Sequence, residues 1–149
     1  MAEYIEVLPQ EVSLNNALVF TASIPCTKGY VYHEDGTANF TLRGITNNCF
    51  ARYQLDFGAN IGIVDGGTVT PIAIAIAVNG EVRPSSLAIS TPAAAEELNA
   101  VSTSAIITVP RGCCYNVSVR YVSGVTDGTT TPTPTIQAQN ANLTISRIA

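Results

Sequence analysis

The chain has 149 residues, which suits one domain with a sizeable core, whereas two domains would each be small. A composition of 46% hydrophobic and 12% charged residues excludes an intrinsically disordered chain. Seven basic against eleven acidic residues give a net charge of −4, and six of the seven bases are arginines scattered along the chain (Arg43, Arg52, Arg83, Arg111, Arg120 and Arg147), so the basic stripe of a nucleic-acid binder is not visible.

Insertion of a helix into a membrane is not expected, because the longest apolar run, Ile72 to Val78, is far below the roughly 20 residues needed to cross a bilayer. The start, Met1 to Glu6, is acidic and lacks the regions of a signal peptide, so the chain is expected either to stay in the cytoplasm where it is made or to have had a signal removed. The four cysteines, Cys26, Cys49, Cys113 and Cys114, have no C-x-x-C spacing; a cytoplasmic chain would usually keep them reduced, and a ring of Cys114 or a Cys26–Cys49 contact is the alternative. The N-x-S/T triplets at Asn39, Asn116 and Asn142 are then chance occurrences in a chain rich in Asn, Ser and Thr.

Residues 1–16 show no sustained period and mix Glu3, Glu6 and Glu11 with Tyr4, Ile5, Val7, Leu8 and Pro9. They are predicted to form an N-terminal arm ahead of a domain spanning residues 17–149. Ala17 to Phe20 is the first predicted strand, and Tyr30 to His33 is a short extended piece before a Glu34-Asp35-Gly36 turn. From Ala51 the chain alternates cleanly. Ala51, Tyr53, Leu55 and Phe57 share one face, with Arg52, Gln54 and Asp56 on the other, which is a strand with one wet side.

The stretch from Ile72 to Arg83 is different. Ile72, Ile74, Ile76 and Val78 alternate with Ala73, Ala75 and Ala77, so neither face is polar, and Asn79-Gly80 marks a tight hairpin. The isoleucines can fill a core, while the alanines permit close approach of a second surface. The alanine face is therefore expected to be covered by another subunit. Thr91-Pro92 followed by Ala93 to Leu98 is the one helix signal, worth a turn or two.

Ser104 to Val109 is a further strand, closed by Pro110-Arg111-Gly112. In the strand after it Cys113, Tyr115, Val117, Val119 and Tyr121 are expected to face the core, and Cys114, Asn116, Ser118 and Arg120 the outside. Residues 124–135 are a Thr/Pro-rich loop, and the last strand carries Leu143, Ile145 and Ile148. About eight short antiparallel strands and one helical turn make an all-β jelly-roll sandwich.

Candidate chemistry is sparse. His33, the single histidine, sits beside Glu34 and Asp35, and neighbours in a turn rarely meet the geometry of a catalytic pair. Cys113 and Cys114 would point to opposite faces of a strand and so could not chelate one ion together. Phosphate loops, nucleophile elbows and paired carboxylates are missing, so neither an enzyme nor a metal or cofactor protein is expected.

The closing segments Ile106-Ile107-Thr108-Val109-Pro110-Arg111-Gly112, Val117-Ser118-Val119-Arg120 and Asn142-Leu143-Thr144-Ile145-Ser146-Arg147-Ile148 resemble those of the tumour-necrosis-factor and complement globular-head superfamily. The stretch from Thr68 to Pro92, the Gly112-Cys113-Cys114 triplet and the ending Asn140-Ala141-Asn142-Leu143 are similar to small jelly-roll proteins of phages and prophages. The resemblance covers about residues 50–149 and leaves out the arm. It implies a homotrimer whose inner sheets face a threefold axis, with the Ile/Ala strand in that sheet and Ala73, Ala75 and Ala77 at the subunit contact. A short arm in place of a long stalk favours a structural virion protein that decorates a phage capsid or forms a short head fibre. Its partner would be the major capsid protein or another virion protein, reached through Tyr4, Ile5, Val7 and Leu8 of the arm. A trimeric receptor- or glycan-binding knob on a tail fibre or bacterial surface is the second reading.

Overall fold

Period-two alternation decides most of this structure, a computed structural model that describes residues 2–24, 30–67, 69–123 and 134–148. The described residues hold twelve strands: β1 (Ala2–Glu6), β2 (Gln10–Val12), β3 (Ala22–Ile24), β4 (Val31–His33), β5 (Phe40–Arg43), β6 (Phe50–Ile63), β7 (Ile72–Val78), β8 (Glu81–Val82), β9 (Ala88–Ser90), β10 (Asn99–Pro110), β11 (Cys114–Ser123) and β12 (Ile136–Arg147). One sheet has the order β10-β6-β12-β1-β3, with β2 beside β12. It holds both ends of the chain and is called the terminal sheet below. The second has the order β4-β5-β11-β7-β8, with β9 beside β7. Neighbouring strands are antiparallel throughout, and the two sheets make the expected jelly-roll sandwich.

The faces that meet carry the core. Tyr53, Leu55, Phe57, Ile61 and Ile63 of β6 and Leu143 and Ile145 of β12 come from the terminal sheet. Ile72, Ile74, Ile76, Val117, Val119 and Tyr121 come from the second. The one-sided strand expected from Ala51 runs on through Gly58 to Ile63 as a single 14-residue strand. The Asn79-Gly80 hairpin forms with both residues at positive φ (52° and 84°), as a type I′ turn requires. Tyr121 is fully buried, and its hydroxyl donates to the Pro134 carbonyl oxygen at 2.7 Å.

Several sequence expectations need correction. Residues 1–16 are not an arm. β1 lies between β12 and β3, pairing Tyr4 with Leu143 and Ser23, and β2 pairs with the start of β12. Tyr4 is only 3% exposed and its ring meets Phe40 and His33 at centroid distances of 4.6 and 4.9 Å. Val12 is buried as well. Residues 17–20 do not form a strand; they make isolated bridges, with Leu18 N–H donating to the Val119 carbonyl. The helix expected after Thr91-Pro92 is absent. Glu96 takes a positive φ of 67° and its N–H donates to Ile63 at the end of β6, so the sheet captures a donor that a helix would need. The short helical turn lies at Pro84–Ser86 instead, a 3₁₀ turn with Ser86 buried. Strand phase also changes near the C-terminus: a bulge between Gln139 and Asn142, with Asn140 at φ 55°, shifts the inward side chains from Ile136 and Ala138 to Ala141, Leu143 and Ile145. The Thr/Pro-rich stretch of residues 124–135 falls mostly outside the described residues.

Two outcomes follow from this architecture. Tyr4→Ala should cost about 3 kcal/mol by urea denaturation, because it empties a ring-sized space between the sheets; a loss below about 1 kcal/mol would mean β1 is dispensable. Burial pushes the Tyr121 hydroxyl pKa up to about 12. The folded state then holds this proton more tightly than the unfolded chain, so its contribution to stability is complete below about pH 10 and is lost as pH rises through about 12. Ultraviolet titration of the native protein should show a late-ionising tyrosine whose signal Tyr121→Phe removes.

Candidate functional site

The sequence nominated the alanines of β7, the first residues of the chain, His33 and the paired cysteines; of these, among the described residues, the fold brings together only Tyr4 and His33, in a ring contact. Ala73, Ala75 and Ala77 are 0% exposed within the single chain, on the face of β7 away from the isoleucines. Both faces of the strand are covered, as the pattern required. The cover is intramolecular, however, and β7 lies in the sheet that does not hold the termini. Part of that cover comes from β11, whose Ser118 and Arg120 pair with Ala77 and Ala75, the Arg120 Nε–H donating to Ser118 Oγ at 3.4 Å. The need for a second chain over the alanines therefore disappears.

Of the four docking residues, Tyr4 is buried and Ile5 is half-buried within its pairing to Asn142 and Ala22. Val7 and Leu8 are 61% and 71% exposed. They stand at the corner where β1 passes into β2, and the Val7 carbonyl there accepts a hydrogen bond from the Asn140 N–H at the bulge.

His33 stacks on Phe40 at 4.1 Å with an interplanar angle of 13°. Its Nδ1 lies 3.0 Å from the Asn39 carbonyl oxygen and its Nε2 3.2 Å from that of Phe20. Both nitrogens face main-chain carbonyls, so the ring ties loops together and presents nothing to a substrate. Among the described residues no three His, Cys, Asp or Glu side chains are grouped to hold a metal ion.

Cys113 departs from the expected phase. Gly112 turns the chain at φ 77°, the Cys113 N–H bonds back to the Pro110 carbonyl, and β11 begins only at Cys114. Cys113 is consequently exposed, as are Cys114 and Cys49. The phase from Tyr115 onward is as expected, with Val117, Val119 and Tyr121 buried.

Two surface features were not legible in the sequence. The first is the open face of the terminal sheet. Register places Glu3, Thr144, Asp56 and Ser104 in one row across four strands; Ile5, Asn142, Gly58 and Ser102 form the next, and Ser146, Gln54 and Ile106 flank them. The middle of this face is flat, because Gly58, Ser102, Ser104, Thr144 and Ser146 are small. Ile106 stands out of it, 54% exposed.

The second feature is the end of the sandwich where β5, β10 and β12 finish and β6 and β11 start. Arg43, Arg52, Arg111 and Arg147 collect there. Arg43 pairs with Cys114, Arg52 with Thr108 and Arg147 with Tyr53, and the Arg111 N–H donates to the Cys49 carbonyl. The Arg147 guanidinium lies 4.2 Å above the Tyr30 ring, and that of Arg52 lies 4.9 Å from Phe50. Beside them is an open cleft of about 420 Å³ lined by Tyr30, Ile45, Thr46, Asn47, Asn48 and Arg147. Four separate stretches of chain meet here, at Tyr30 and residues 43–53, 108–116 and 145–148, which is why linear order hides the cluster.

Peptide mapping after brief alkylation of native protein should find Cys49, Cys113 and Cys114 all modified, with Cys113 reacting on the same timescale as Cys114. Strong protection of Cys113 would contradict the turn at Gly112.

No known protein family matches the chain, and no curated protein does either. Among solved structures the fold is similar to the globular domain of zebrafish complement 1qA protein. The TM-score is 0.62 with 13% identity, over 97% of this chain and 92% of that one. A second similarity, to the C-terminal domain of the sugar-binding protein EclA, covers 80% of this chain and 86% of that one. Its TM-score of 0.36 at 12% identity is too low to bear on function. The fold is that of the complement globular head, a jelly roll of two antiparallel sheets.

Proposed function

We propose that this chain forms a homotrimeric jelly-roll head carried on a phage particle, where it serves as a structural virion protein and not as an enzyme. The resemblance of its closing strands to trimeric jelly rolls, and of residues 68–92 to small phage proteins, supports this reading. The observation that carries the self-assembly is the open face of the terminal sheet. Small residues (Gly58, Ser102, Ser104, Thr144 and Ser146) set among Glu3, Asp56 and Gln54 let a second body approach closely, and the half-exposed Ile106 beside them gains by being covered. The subunit contact thereby moves from Ala73, Ala75 and Ala77 to this face.

Capsid decoration needs a docking element, and Val7 and Leu8 are what the folded chain leaves for it. Three copies of this exposed corner would engage the major capsid protein or another virion protein by avidity. Assembly would occur in the host cytoplasm before display on the virion surface. The arginine end favours the second reading, a receptor- or glycan-binding knob, because decoration alone does not require a cleft lined by Arg147 at an end that also carries Arg43, Arg52 and Arg111.

Light scattering coupled to size exclusion should give the mass of three chains at micromolar concentration. Ile106→Arg should shift that mass to one chain with little change in melting temperature. Ala75→Arg should instead give insoluble or molten protein, since it forces a long cation into a site closed within one chain, at a cost of roughly several kcal/mol. A monomeric wild type would overturn the trimer. Mass spectrometry of purified particles, with antibody labelling in the electron microscope, then separates the two readings: label on heads supports decoration, label on tails supports the knob, and absence from particles ends both.

A further inference from the structure

The arginine end invites a specific ligand. Arg43, Arg52 and Arg111 are exposed and Arg147 is half-buried. No Asp or Glu occurs among the described residues that build this end, 43–53, 108–116 and 145–148. Of the described acids, Glu11, Asp65, Glu96 and Glu97 are exposed at the opposite end, near the start of β12 and the finish of β6, and Glu34 and Asp35 are exposed in the turn after β4. Glu3 and Asp56 lie further along the open face, level with Thr144, and Glu81 is on the neighbouring β7–β8 hairpin. A chain with a net charge of −4 thus carries a local surplus of four positive charges at one end.

We propose that this end binds an acidic glycan, with the cleft beside Arg147 taking one or two sugar units and the exposed arginines taking the acid groups that flank them. The cleft, about 420 Å³, is within the range of small-ligand sites. Its lining combines the hydroxyl of Thr46 and the carboxamides of Asn47 and Asn48, which donate and accept as sugar hydroxyls do, with the Tyr30 ring and a guanidinium. Guanidinium forks match carboxylate or phosphate oxygens in pairs. Stacking on Tyr30 and Phe50 holds Arg147 and Arg52 in place before a ligand arrives, which lowers the ordering cost of binding. Those same stacks argue against a nucleic acid. Both rings already carry an arginine, so neither is open as a platform for bases.

The inference depends on a single folded chain and not on the virion reading, so either can fail without the other. The test titrates full-length protein at low salt with four probes of similar length: oligogalacturonate (carboxylate), phosphorylated dextran (phosphate), neutral dextran and oligothymidylate. One or both of the first two should bind, the tighter naming the acid group, while dextran does not bind and oligothymidylate binds at least tenfold more weakly. Arg52→Gln combined with Arg111→Gln should reduce that affinity at least tenfold with an unchanged circular dichroism spectrum. Thr46→Ala with Asn47→Ala and Asn48→Ala, which leaves net charge untouched, should also weaken it several-fold. Arg120→Gln, on the second sheet away from this end, should have no effect. Binding of dextran, tighter binding of oligothymidylate, failure of both acidic polymers, or an unchanged affinity in the charge-neutral triple variant would overturn the proposal.

Discussion

The bulge in β12 at Asn140 is the constraint on which the terminal sheet depends. One edge of β12 must serve two partners in succession, β2 over residues 136–138 and β1 over residues 141–145, while the other edge stays paired with β6. A straight strand could not change partner without losing a ladder hydrogen bond or a core side chain. The positive φ at Asn140 takes up the extra residue, and its N–H finds the Val7 carbonyl where β1 turns toward β2. The same irregularity moves the buried positions from even to odd numbers, so Ala138 and Ala141 both stay inside. Asparagine suits this position because it tolerates the left-handed region better than most residues.

β7 poses the converse problem, a strand buried on both faces beside an interrupted edge. β8 covers it only at Ala77 and Val78, and β9 only from Ile72 to Ile74. Between them the main chain of Ile76 faces no strand, and Ser86 fills the gap. Its Oγ accepts from the Ile76 N–H at 2.9 Å and also lies against the carbonyls of Ile76 and Arg83. The Arg83 N–H donates to the Ile76 carbonyl as well. One buried hydroxyl on a 3₁₀ turn thereby satisfies main-chain groups that would otherwise be left unpaired in an apolar setting. Thr103 and Arg83 tie the same turn to β10, bridging the two sheets at that edge.

What was legible in the sequence follows from these two strands. Residues 51–57 and 115–121 could be read because their burial is decided by a local period, and Asn79-Gly80 because a type I′ turn needs only its own two residues. β1 could not be read. Its five residues gain their place from β12, more than 130 positions away, and a short run with Glu3 and Glu6 carries no period of its own. The helix signal at Thr91-Pro92 was chemically sound but lost to a carbonyl of Ile63 that no local rule reveals. Cys113 was misplaced by one turn. Its neighbour Gly112 resets the strand phase, so extrapolating the alternation backward from Tyr115 put a solvent-facing thiol in the core.

The arginine end illustrates a different limit. Six scattered arginines look unpatterned because clustering depends on which strand ends coincide, and that is a property of topology alone. Here the loops closing the end are held by main-chain contacts. Gly44 N–H donates to Cys113, Gly112 N–H donates to Gly44, and a side chain at Gly44 would fall 2.1 Å from the Pro110 carbonyl oxygen. Glycine is required there for close approach and not for an unusual φ, since even a methyl group would push apart the two loops that present Arg43 and Arg111. Charge on mobile loops would lose orientational freedom on meeting a ligand. Charge mounted on loops locked backbone to backbone has already lost much of it in folding, so the sandwich works as a rigid frame for whatever its arginine end meets.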